Sequence, residues 1–187
     1  MLRVVISGGS RAGTTAWVLG AVATVACLAV LPSRAAAADR QPCAAVAQEH
    51  GLDFWLGEWA VSDGEQPGHA RSDVSLELGK CLIVEHWSDA TGHRGENLFG
   101  YNLDSKTWNG MFADNRGRIH IFDRGTVAAG KAQLYGRSQA TDGAAVLNRI
   151  TLVRMRAGNV EQTWEQSTDD GTTWTTVFRG EYSRVNP

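Results

Sequence analysis

The chain has 187 residues, of which 43% are hydrophobic, and its 18 basic and 20 acidic side chains give a formal net charge of −2 at pH 7. This length suits one domain that is large enough to bury a sizeable core. The slightly acidic balance argues against nucleic acid and against anionic lipid as partners, because both attract basic proteins.

The first stretch of the chain has the features of a targeting segment. Arg3 and Arg11 give a positively charged start, residues 16–31 form an apolar run without a charge, and alanines occupy 35–38. This order of charged, apolar and small residues predicts a secretory signal peptide over residues 1–38. An uncleaved membrane anchor is the alternative, although the apolar run is short for a membrane span.

Cleavage after the signal peptide leaves a single domain over residues 39–187, which we expect to be secreted or held in the cell envelope. The removed segment contains three arginines and no acid, so the formal net charge changes from −2 to −5. We expect no contact with a membrane beyond the signal peptide. The sequence carries no signal for the oligomeric state.

Two cysteines, Cys43 and Cys81, remain in this domain. In an exported protein such a pair predicts a disulfide, with two buried free thiols as the alternative. The bond would close a loop of about 39 residues and contribute about 4 kcal/mol to the free energy of unfolding in the chain-entropy model. Neither cysteine has a second Cys or a His at ligand spacing, so we expect no metal site.

The predicted elements are one short helix followed by strands. Residues 44–50 are rich in helix formers and stop at Gly51, which predicts the helix. Turn residues then separate ten short runs of strand-forming residues, at 54–61, 71–78, 81–87, 96–101, 108–113, 118–122, 131–137, 148–155, 160–166 and 174–182. Evenly spaced strands with hairpin connections indicate a sandwich or a barrel. Because the connections are short, they favour an all-β, up-and-down antiparallel β-barrel.

The segment at 167–174 reads STDDGTTW and matches the Asp-box pattern that recurs in sialidase propellers. A propeller needs at least about four blades of four strands each, and the predicted strands are too few. We therefore interpret Ser167, Asp169, Gly171 and Trp174 as a rigid hairpin turn. In this interpretation side-chain oxygens cap backbone groups, glycine takes a positive φ, and the tryptophan packs beneath the loop.

A second informative segment is FWLGEW at 54–59, just after the predicted helix. A Gly-x-Trp at the start of the first strand resembles the calycin superfamily of lipocalins and fatty-acid-binding proteins. The resemblance implies that Trp59 plugs one end of the barrel and that a basic residue of the last strand lies across it. Arg184 is the first candidate for that residue and Arg179 the second.

Further stretches extend the resemblance over nearly all of residues 39–187. They are Cys43, GKCLIVEHW at 79–87, GENLFGYNLDSKTWNGMFADNRG at 95–117, VLNRITL at 146–152, EQTWEQSTDDGTTW at 161–174 and FRGEYSR at 178–184. Together they resemble a family of exported bacterial lipocalin-like proteins of unknown function. The chain departs from the family pattern at Gly110 and Phe112, where the pattern has Gln and Trp, and smaller side chains there would enlarge a cavity or remove a polar ligand contact.

Strand alternation suggests which side chains face the barrel interior, because residues two apart share a face. Aromatic and polar residues share one face in three of the predicted strands. We expect this face to form a ligand site from Glu85, Trp87, Trp108, Phe112, Asp114, Gln162 and Trp164. The alternative is a packed core of structural tryptophans, in which Glu85 pairs with Arg149.

Apolar walls with a few polar groups are typical of a pocket for a small, largely apolar ligand. We therefore expect an exported ligand-binding protein. One alternative is a barrel enzyme of the isomerase or cyclase type, in which Glu85 or Asp114 acts as acid or base. Another is a structural or interaction protein whose barrel is filled.

The histidines give little support for a metal or cofactor. His86 is expected to face outward, and His69 and His93 lie in apparent loops where we expect them to be solvated. The sequence contains neither His-x-His nor HExxH, so we expect no cofactor. Haem is the alternative, because one axial histidine suffices, and His120 is then the expected ligand.

Overall fold

A computed structural model describes residues 43–63 and 69–185. The predicted signal peptide over 1–38 lies outside these residues. None of the helices within the described ranges is both long enough and apolar enough to span a membrane.

Ten antiparallel strands form one closed barrel. The strands are β1 (Gly57–Ser62), β2 (Ala70–Glu77), β3 (Leu82–Asp89), β4 (Arg94–Asn102), β5 (Thr107–Asp114), β6 (Ile119–Ala128), β7 (Lys131–Gln139), β8 (Ala145–Arg154), β9 (Val160–Ser167) and β10 (Thr175–Arg184). Each strand pairs with its neighbours in the sequence, and β1 also pairs with β10. The predicted up-and-down barrel of ten strands is therefore confirmed.

The strands follow the alternation of their side chains. In β9, for example, Val160, Gln162 and Trp164 are buried, while the residues between them are half-exposed. In β2 the same pattern buries Ala70, Ser72 and Val74 and exposes Arg71 and Asp73. Alternate residues therefore fill the barrel interior, as the period of two requires.

The predicted helix over 44–50 is not confirmed. A 3-10 helix begins later, at Ala47, continues through Gly51 and ends at Trp55. A Cβ atom at Gly51 would lie 2.6 Å from Cγ1 of Val127. The glycine therefore allows the helix to approach β6 closely and does not end it. Leu52 and Trp55, which follow it, are completely buried in the core.

This helix covers one end of the barrel, which we call the closed end and which also carries the β2–β3, β4–β5, β6–β7 and β8–β9 turns. Trp59 is completely buried there and donates a hydrogen bond from Nε1 to the Trp55 carbonyl oxygen, at 2.8 Å. The guanidinium carbon of Arg184 lies 4.4 Å from the centre of the Trp59 ring. The expected contact between Trp59 and Arg184 is therefore present, whereas Arg179 instead pairs with Glu161 on the outer face.

Gly57 explains why this contact needs the Gly-x-Trp spacing. Its φ is +122°, and a Cβ atom there would lie 2.6 Å from Nη1 of Arg184. That nitrogen donates to the Leu56 carbonyl oxygen at 3.1 Å. A side chain at position 57 would therefore displace the guanidinium from Trp59 and would also strain the backbone.

The predicted disulfide between Cys43 and Cys81 is confirmed, with a Cα–Cα distance of 5.1 Å. It joins the segment before the 3-10 helix to the turn between β2 and β3. The bond therefore fastens the N-terminal part of the described chain to the closed end of the barrel.

The Asp-box segment forms the β9–β10 turn. Ser167 donates from Oγ to Oδ1 of Asp169 at 2.7 Å and accepts from the backbone N–H of Gly171 at 2.9 Å. Asp169 also accepts from the backbone and the hydroxyl of Thr173, at 2.8 and 2.6 Å. Gly171 has a φ of +87° and its carbonyl oxygen accepts from Nε1 of Trp174 at 3.0 Å. The segment is thus a hairpin turn of the predicted kind.

Candidate functional site

The opposite end of the barrel, which we call the cavity end, carries the β3–β4, β5–β6, β7–β8 and β9–β10 turns and holds a cavity of about 380 Å³. Pockets for small molecules have roughly 300–1,000 Å³. The lining residues are Glu85, Trp87, His93, Asn97, Phe112, Arg118, His120, Gln162, Trp164, Gln166, Val177, Phe178 and Tyr182. Five of the seven predicted site residues are among them: Glu85, Trp87, Phe112, Gln162 and Trp164.

One row of the cavity wall crosses four adjacent strands. Glu85 is paired with Asn97, Asn97 with Phe112, and Phe112 with His120. Residues paired in this way point to the same face of the sheet, with Cβ atoms roughly 5 Å apart. The register therefore places a carboxyl, an amide, a phenyl ring and an imidazole side by side.

Aromatic rings meet edge to face at two places in the wall. Trp87 and Phe178 have ring centres 6.3 Å apart at 89°, and Phe112 and Trp164 have ring centres 5.1 Å apart at 79°. This geometry is favourable for aromatic pairs and holds the rings in fixed orientations. The cavity therefore has rigid apolar walls.

A buried hydrogen-bond network lies beside these rings. Oε1 of Glu85 accepts from the Ser72 hydroxyl at 2.6 Å, and Oε2 accepts from the Asn97 amide at 2.6 Å. The Tyr182 hydroxyl lies 2.9 Å from Oε1 of Glu85 and 2.6 Å from Oε1 of Gln162. Four strands, β2, β3, β4 and β10, thus converge on one carboxyl group, and β9 is joined to them through Tyr182.

Burial controls the protonation of this network. Glu85 is 0% exposed, and its burial raises the pKa of the carboxyl group above 4.5, although the bonds donated by Ser72 and Asn97 favour the ionised form. Burial likewise raises the pKa of Tyr182 well above 10, and the neighbouring Glu85 adds to this shift. The pair between Glu85 and Arg149, which the alternative of a packed core requires, does not form, since Arg149 binds Glu165 at 2.8 Å.

Asp114 does not line the cavity but holds two residues that do. Its Oδ2 atom lies 2.6 Å from Nη2 of Arg118 and 3.0 Å from Nε2 of His93. Burial raises the pKa of Asp114, but the hydrogen bonds from Arg118 and His93 outweigh it and hold the pKa well below its usual range. Asp114 therefore stays ionised at neutral pH and is a poor proton donor there.

The expectation that His93 is solvated is wrong. Its side chain is 13% exposed, and its ring centre lies 5.3 Å from that of Trp87. The β3–β4 connection turns back towards the barrel, because Oδ1 of Asp89 accepts from the backbone N–H of His93 at 3.1 Å. His86, by contrast, is exposed as expected and lies 3.2 Å from Glu96.

His120 lies in the cavity wall between aromatic rings. Its ring centre is 4.7 Å from that of Trp164 and 6.3 Å from that of Phe112. Burial and the nearby charge of Arg118 lower the pKa of His120, so the ring is neutral, which is the form that binds iron. Haem ligation by His120 stays a prediction.

Trp108 also lies outside the cavity lining. It is buried at the closed end, where its ring centre lies 6.0 Å from that of Tyr101. Gly110, two residues later, does not enlarge the cavity, because a Cβ atom there would collide with the Phe99 ring. Trp108 and Phe112 share the inward face, as predicted. Because β5 runs from the closed end to the cavity end, however, only Phe112 of the two reaches the cavity.

Three residues of the cavity wall have buried polar atoms without a hydrogen-bond partner among the described residues. These atoms are Nε1 of Trp87, Oδ1 of Asn97 and Nδ1 of His120. A buried polar group without a partner costs about 1–3 kcal/mol, and such groups are uncommon in folded proteins. Two further atoms of this kind among the described residues, Oδ1 of Asp53 and Nε1 of Trp55, lie in the 3-10 helix at the closed end. The cavity wall therefore holds three of these five atoms and is incompletely satisfied.

A second concavity of about 620 Å³ lies outside the barrel at the closed end. It separates the 3-10 helix from the β6–β7 turn and is bordered by His50, Asp53, Arg154 and Arg184. Phe54 is the one aromatic residue among the described residues that line it. Although this groove is larger, it lacks the aromatic walls and the buried polar network of the cavity, which we therefore take as the candidate site.

Sequence reasoning missed several residues of the site. Tyr182 shares a strand face with Arg184, two residues later, and this alternation was the available signal for an inward position. Phe178 follows the same alternation in β10. Arg118 lies one residue before β6, and no local pattern indicates that it reaches the cavity.

Comparison with known proteins assigns neither a family nor a function to the chain. Neither a protein-family model nor a curated protein matches the chain at a significant level.

Proposed function

We propose that the protein binds a small, largely apolar ligand in the cavity of its barrel. The observation that carries this proposal is the combination of rigid aromatic walls with a buried polar network and unpartnered polar atoms around one cavity of suitable volume. Apolar surface supplies most of the affinity in such a pocket, and a few placed polar groups supply orientation. A barrel with a filled interior would have no cavity of this size.

The walls favour binding over catalysis. Among the described residues that line the cavity there is no serine, cysteine or lysine to act as a nucleophile. Glu85 is the one carboxylic acid among the described residues that line the cavity, and burial raises its pKa. An enzyme of the isomerase or cyclase type would therefore use Glu85 as the acid. That alternative predicts that Glu85→Gln keeps ligand affinity and loses turnover.

The proposed kinship with calycins and with the exported lipocalin-like family is supported by the contact of Arg184 with Trp59 and by the ten-strand meander. Export is supported by the disulfide, because such bonds persist in oxidising compartments. The mass of the protein recovered from outside the cytoplasm tests both the export and the cleavage site.

The binding proposal is tested by blocking the cavity mouth. Val177 lines the cavity, is 51% exposed and lies at a bulge in β10, whereas Ile121 is 52% exposed on the outer face of β6. We expect calorimetric titration with ethylnaphthalene to give about tenfold weaker binding for Val177→Trp than for the parent, because the larger side chain narrows the mouth of the cavity; tenfold corresponds to roughly 1.4 kcal/mol. The control Ile121→Trp is expected to bind like the parent.

Two results would oppose the proposal. One is the absence of any heat of binding when the parent protein is titrated with apolar probes. The other is equal affinity of Val177→Trp and Ile121→Trp for the probe. The second result would place the probe somewhere other than the cavity.

A further inference from the structure

The hydroxyl group of Tyr182 makes two contacts that its single proton cannot satisfy. It lies 2.9 Å from Oε1 of Glu85 and 2.6 Å from Oε1 of Gln162. A phenolic hydroxyl donates one hydrogen bond, so at the second contact its oxygen must accept. The carbonyl oxygen of an amide carries no proton, whereas a carboxyl oxygen can. The geometry is therefore satisfied when Glu85 is a neutral acid that donates to Tyr182, which donates to Gln162.

The opposite network requires a different charge and a different amide orientation. If Glu85 were ionised, Tyr182 would donate to it, and Gln162 would have to turn its amide nitrogen towards Tyr182. The carboxyl group is completely buried, and its partners Ser72, Asn97 and Tyr182 are all neutral. An ionised carboxylate without a cation in such a place costs several kcal/mol.

Charged groups around the network do not reverse this conclusion. His86 follows Glu85 in the chain, but it points to the outer face and lies beside Glu96. Arg118 and His93 lie in the cavity lining, and both contact the ionised Asp114. Burial also raises the pKa of the Glu85 carboxyl, in agreement with the geometric argument.

The position of this proton decides what Gln162 offers to a ligand. With a neutral Glu85, the Gln162 carbonyl oxygen is occupied by Tyr182, and the amide N–H groups remain as donors. With an ionised Glu85, the amide nitrogen would be occupied, and the carbonyl oxygen would remain as an acceptor. A donor selects a ligand that carries an acceptor, whereas an acceptor beside a carboxylate and aromatic rings would select an ammonium group.

We propose that the cavity selects an uncharged ligand with a hydrogen-bond acceptor, such as a ketone, aldehyde or ether oxygen, which accepts from the Gln162 amide. This inference rests on the proposed binding function and adds the polarity of the ligand to it. Glu85 acts as a positioning residue, because its proton fixes the direction of the chain of hydrogen bonds through Tyr182 to Gln162.

Three probes with one carbon skeleton test the proposal: acetylnaphthalene, ethylnaphthalene and naphthylethylammonium, each substituted at the same ring carbon. The first adds an acceptor to the apolar body of the second, and the third adds a positive charge. In calorimetric titration of the purified protein at pH 7, we expect acetylnaphthalene to bind about fivefold more tightly than ethylnaphthalene. This ratio is the typical net contribution of one hydrogen bond. The ammonium probe is expected to bind weakest.

Two substitutions assign the effect to its residues. Gln162→Leu removes the donor and keeps the volume, so the ratio of the affinities for acetylnaphthalene and ethylnaphthalene should fall from about five to about one, whatever the affinity for ethylnaphthalene itself. Glu85→Gln supplies a neutral donor in place of the neutral acid, so it should keep the order of the three probes. Infrared difference spectra of the parent minus Glu85→Gln should show the carbonyl band of an un-ionised carboxylic acid at pH 7.

The outcomes separate this inference from the binding function. Tightest binding of the ammonium probe, equal binding of the acetyl and ethyl probes, or a carboxylate band in the infrared spectrum would each overturn the inference while leaving the cavity as a binding site. Failure of all three probes to bind would overturn the proposed function and the inference with it.

Discussion

The two ends of the barrel use the same strand alternation and reach different results. At the closed end, Trp59 is completely buried, its indole N–H has a carbonyl partner, and Arg184 covers its ring. At the cavity end, the inward positions of β2, β3, β4 and β9 are held by Ser72, Glu85, Asn97 and Gln162. Polar side chains there form a network but do not fill the interior as large apolar residues do. The difference suggests a division in which the closed end mainly stabilises the fold and the cavity end holds the candidate site.

The substitution with the largest expected effect on this division is Trp59→Ala. We expect a loss of about 5 kcal/mol in the free energy of unfolding, at the top of the range for a buried tryptophan, because the ring is fully packed and its hydrogen bond is also lost. Urea unfolding measures the loss. The matched variant at the cavity end is Trp164→Ala, which also loses an indole hydrogen bond, to Oδ1 of Asn148 at 3.0 Å. Trp164 is 9% exposed and borders the cavity, so its packing loss and its total loss should be smaller. Equal losses at the two positions would contradict the division.

The disulfide gives the next largest effect. Replacing both cysteines, Cys43→Ser with Cys81→Ser, should lower the free energy of unfolding by about 4 kcal/mol, because the closed loop restricts the unfolded chain. The unfolding curve of the double variant should match that of the parent protein in a reducing agent. Since the bond lies at the closed end, the affinity for ethylnaphthalene at temperatures where the variant is folded should not change. A large loss of affinity would mean that the two ends are coupled.

The fold was predictable because local chemistry marks its strands. Glycine and acidic or amide residues occur at the turns, as in the β9–β10 hairpin, and apolar residues alternate between them. The helix was misplaced because Gly51 resembles a helix stop, whereas its role is close contact with Val127. That role depends on a strand more than seventy residues away in the sequence, and no local pattern contains it.

The candidate site was predictable only where one strand carries the information. Alternation within β3 and β9 was enough to bring Glu85, Trp87, Gln162 and Trp164 to the interior. Alternation does not state how far along the barrel axis a residue lies, which is why Trp108 was included in the expected ligand site although it lies at the closed end. It also does not pair strands, so the contact of Tyr182 with Glu85, 97 residues apart, required the closed topology.

A third prediction concerns the pH dependence of stability at the cavity end. Burial raises the pKa of Glu85 in the folded protein above 4.5. The folded state therefore keeps the proton longer than the unfolded state does, and the free energy of unfolding falls as pH rises from the unfolded pKa through the folded pKa. Each unit of pKa difference corresponds to about 1.4 kcal/mol. Glu85→Gln does not titrate and should lack this loss.

The measurement is chemical unfolding of the parent and of Glu85→Gln from pH 4 to pH 8. As pH rises, the free energy of unfolding of the parent should fall relative to that of Glu85→Gln. The reason is that Glu85 loses its proton more easily in the unfolded state than in the folded state, whereas glutamine has no proton to lose. Trp108→Phe, at the closed end where the ring contacts Tyr101, serves as a control and should show the pH dependence of the parent. A constant difference between the parent and Glu85→Gln would mean that the pKa of Glu85 is not raised in the folded protein.

The smallest expected effect lies in the β9–β10 turn, at the rim of the cavity end. Bonds from the Thr173 hydroxyl and backbone and from Ser167 lower the pKa of Asp169 to about 2. Here the sign is opposite to that of Glu85: the stabilisation is present above the unfolded pKa of about 3.8 and is lost as pH falls through 2. Asp169→Asn should therefore weaken the turn at neutral pH and reduce the loss of stability between pH 4 and pH 2.

Asp170→Asn is the matched control for this turn, because Asp170 is the next residue and its one ion pair among the described residues, with Arg137 at 3.6 Å, joins side chains 62% and 85% exposed and so contributes little. It has a φ of +53°, which asparagine tolerates as well as aspartate does, so the substitution should leave the unfolding curve nearly unchanged at every pH. Hydrogen exchange of the Thr173 amide, which donates to Asp169, should increase only in Asp169→Asn. Equal exchange in both variants would mean that Gly171 and the Trp174 contact hold the turn, with the carboxylate contributing little. The rim of the cavity would then be held in the same way as the closed end, by glycine geometry and a packed tryptophan.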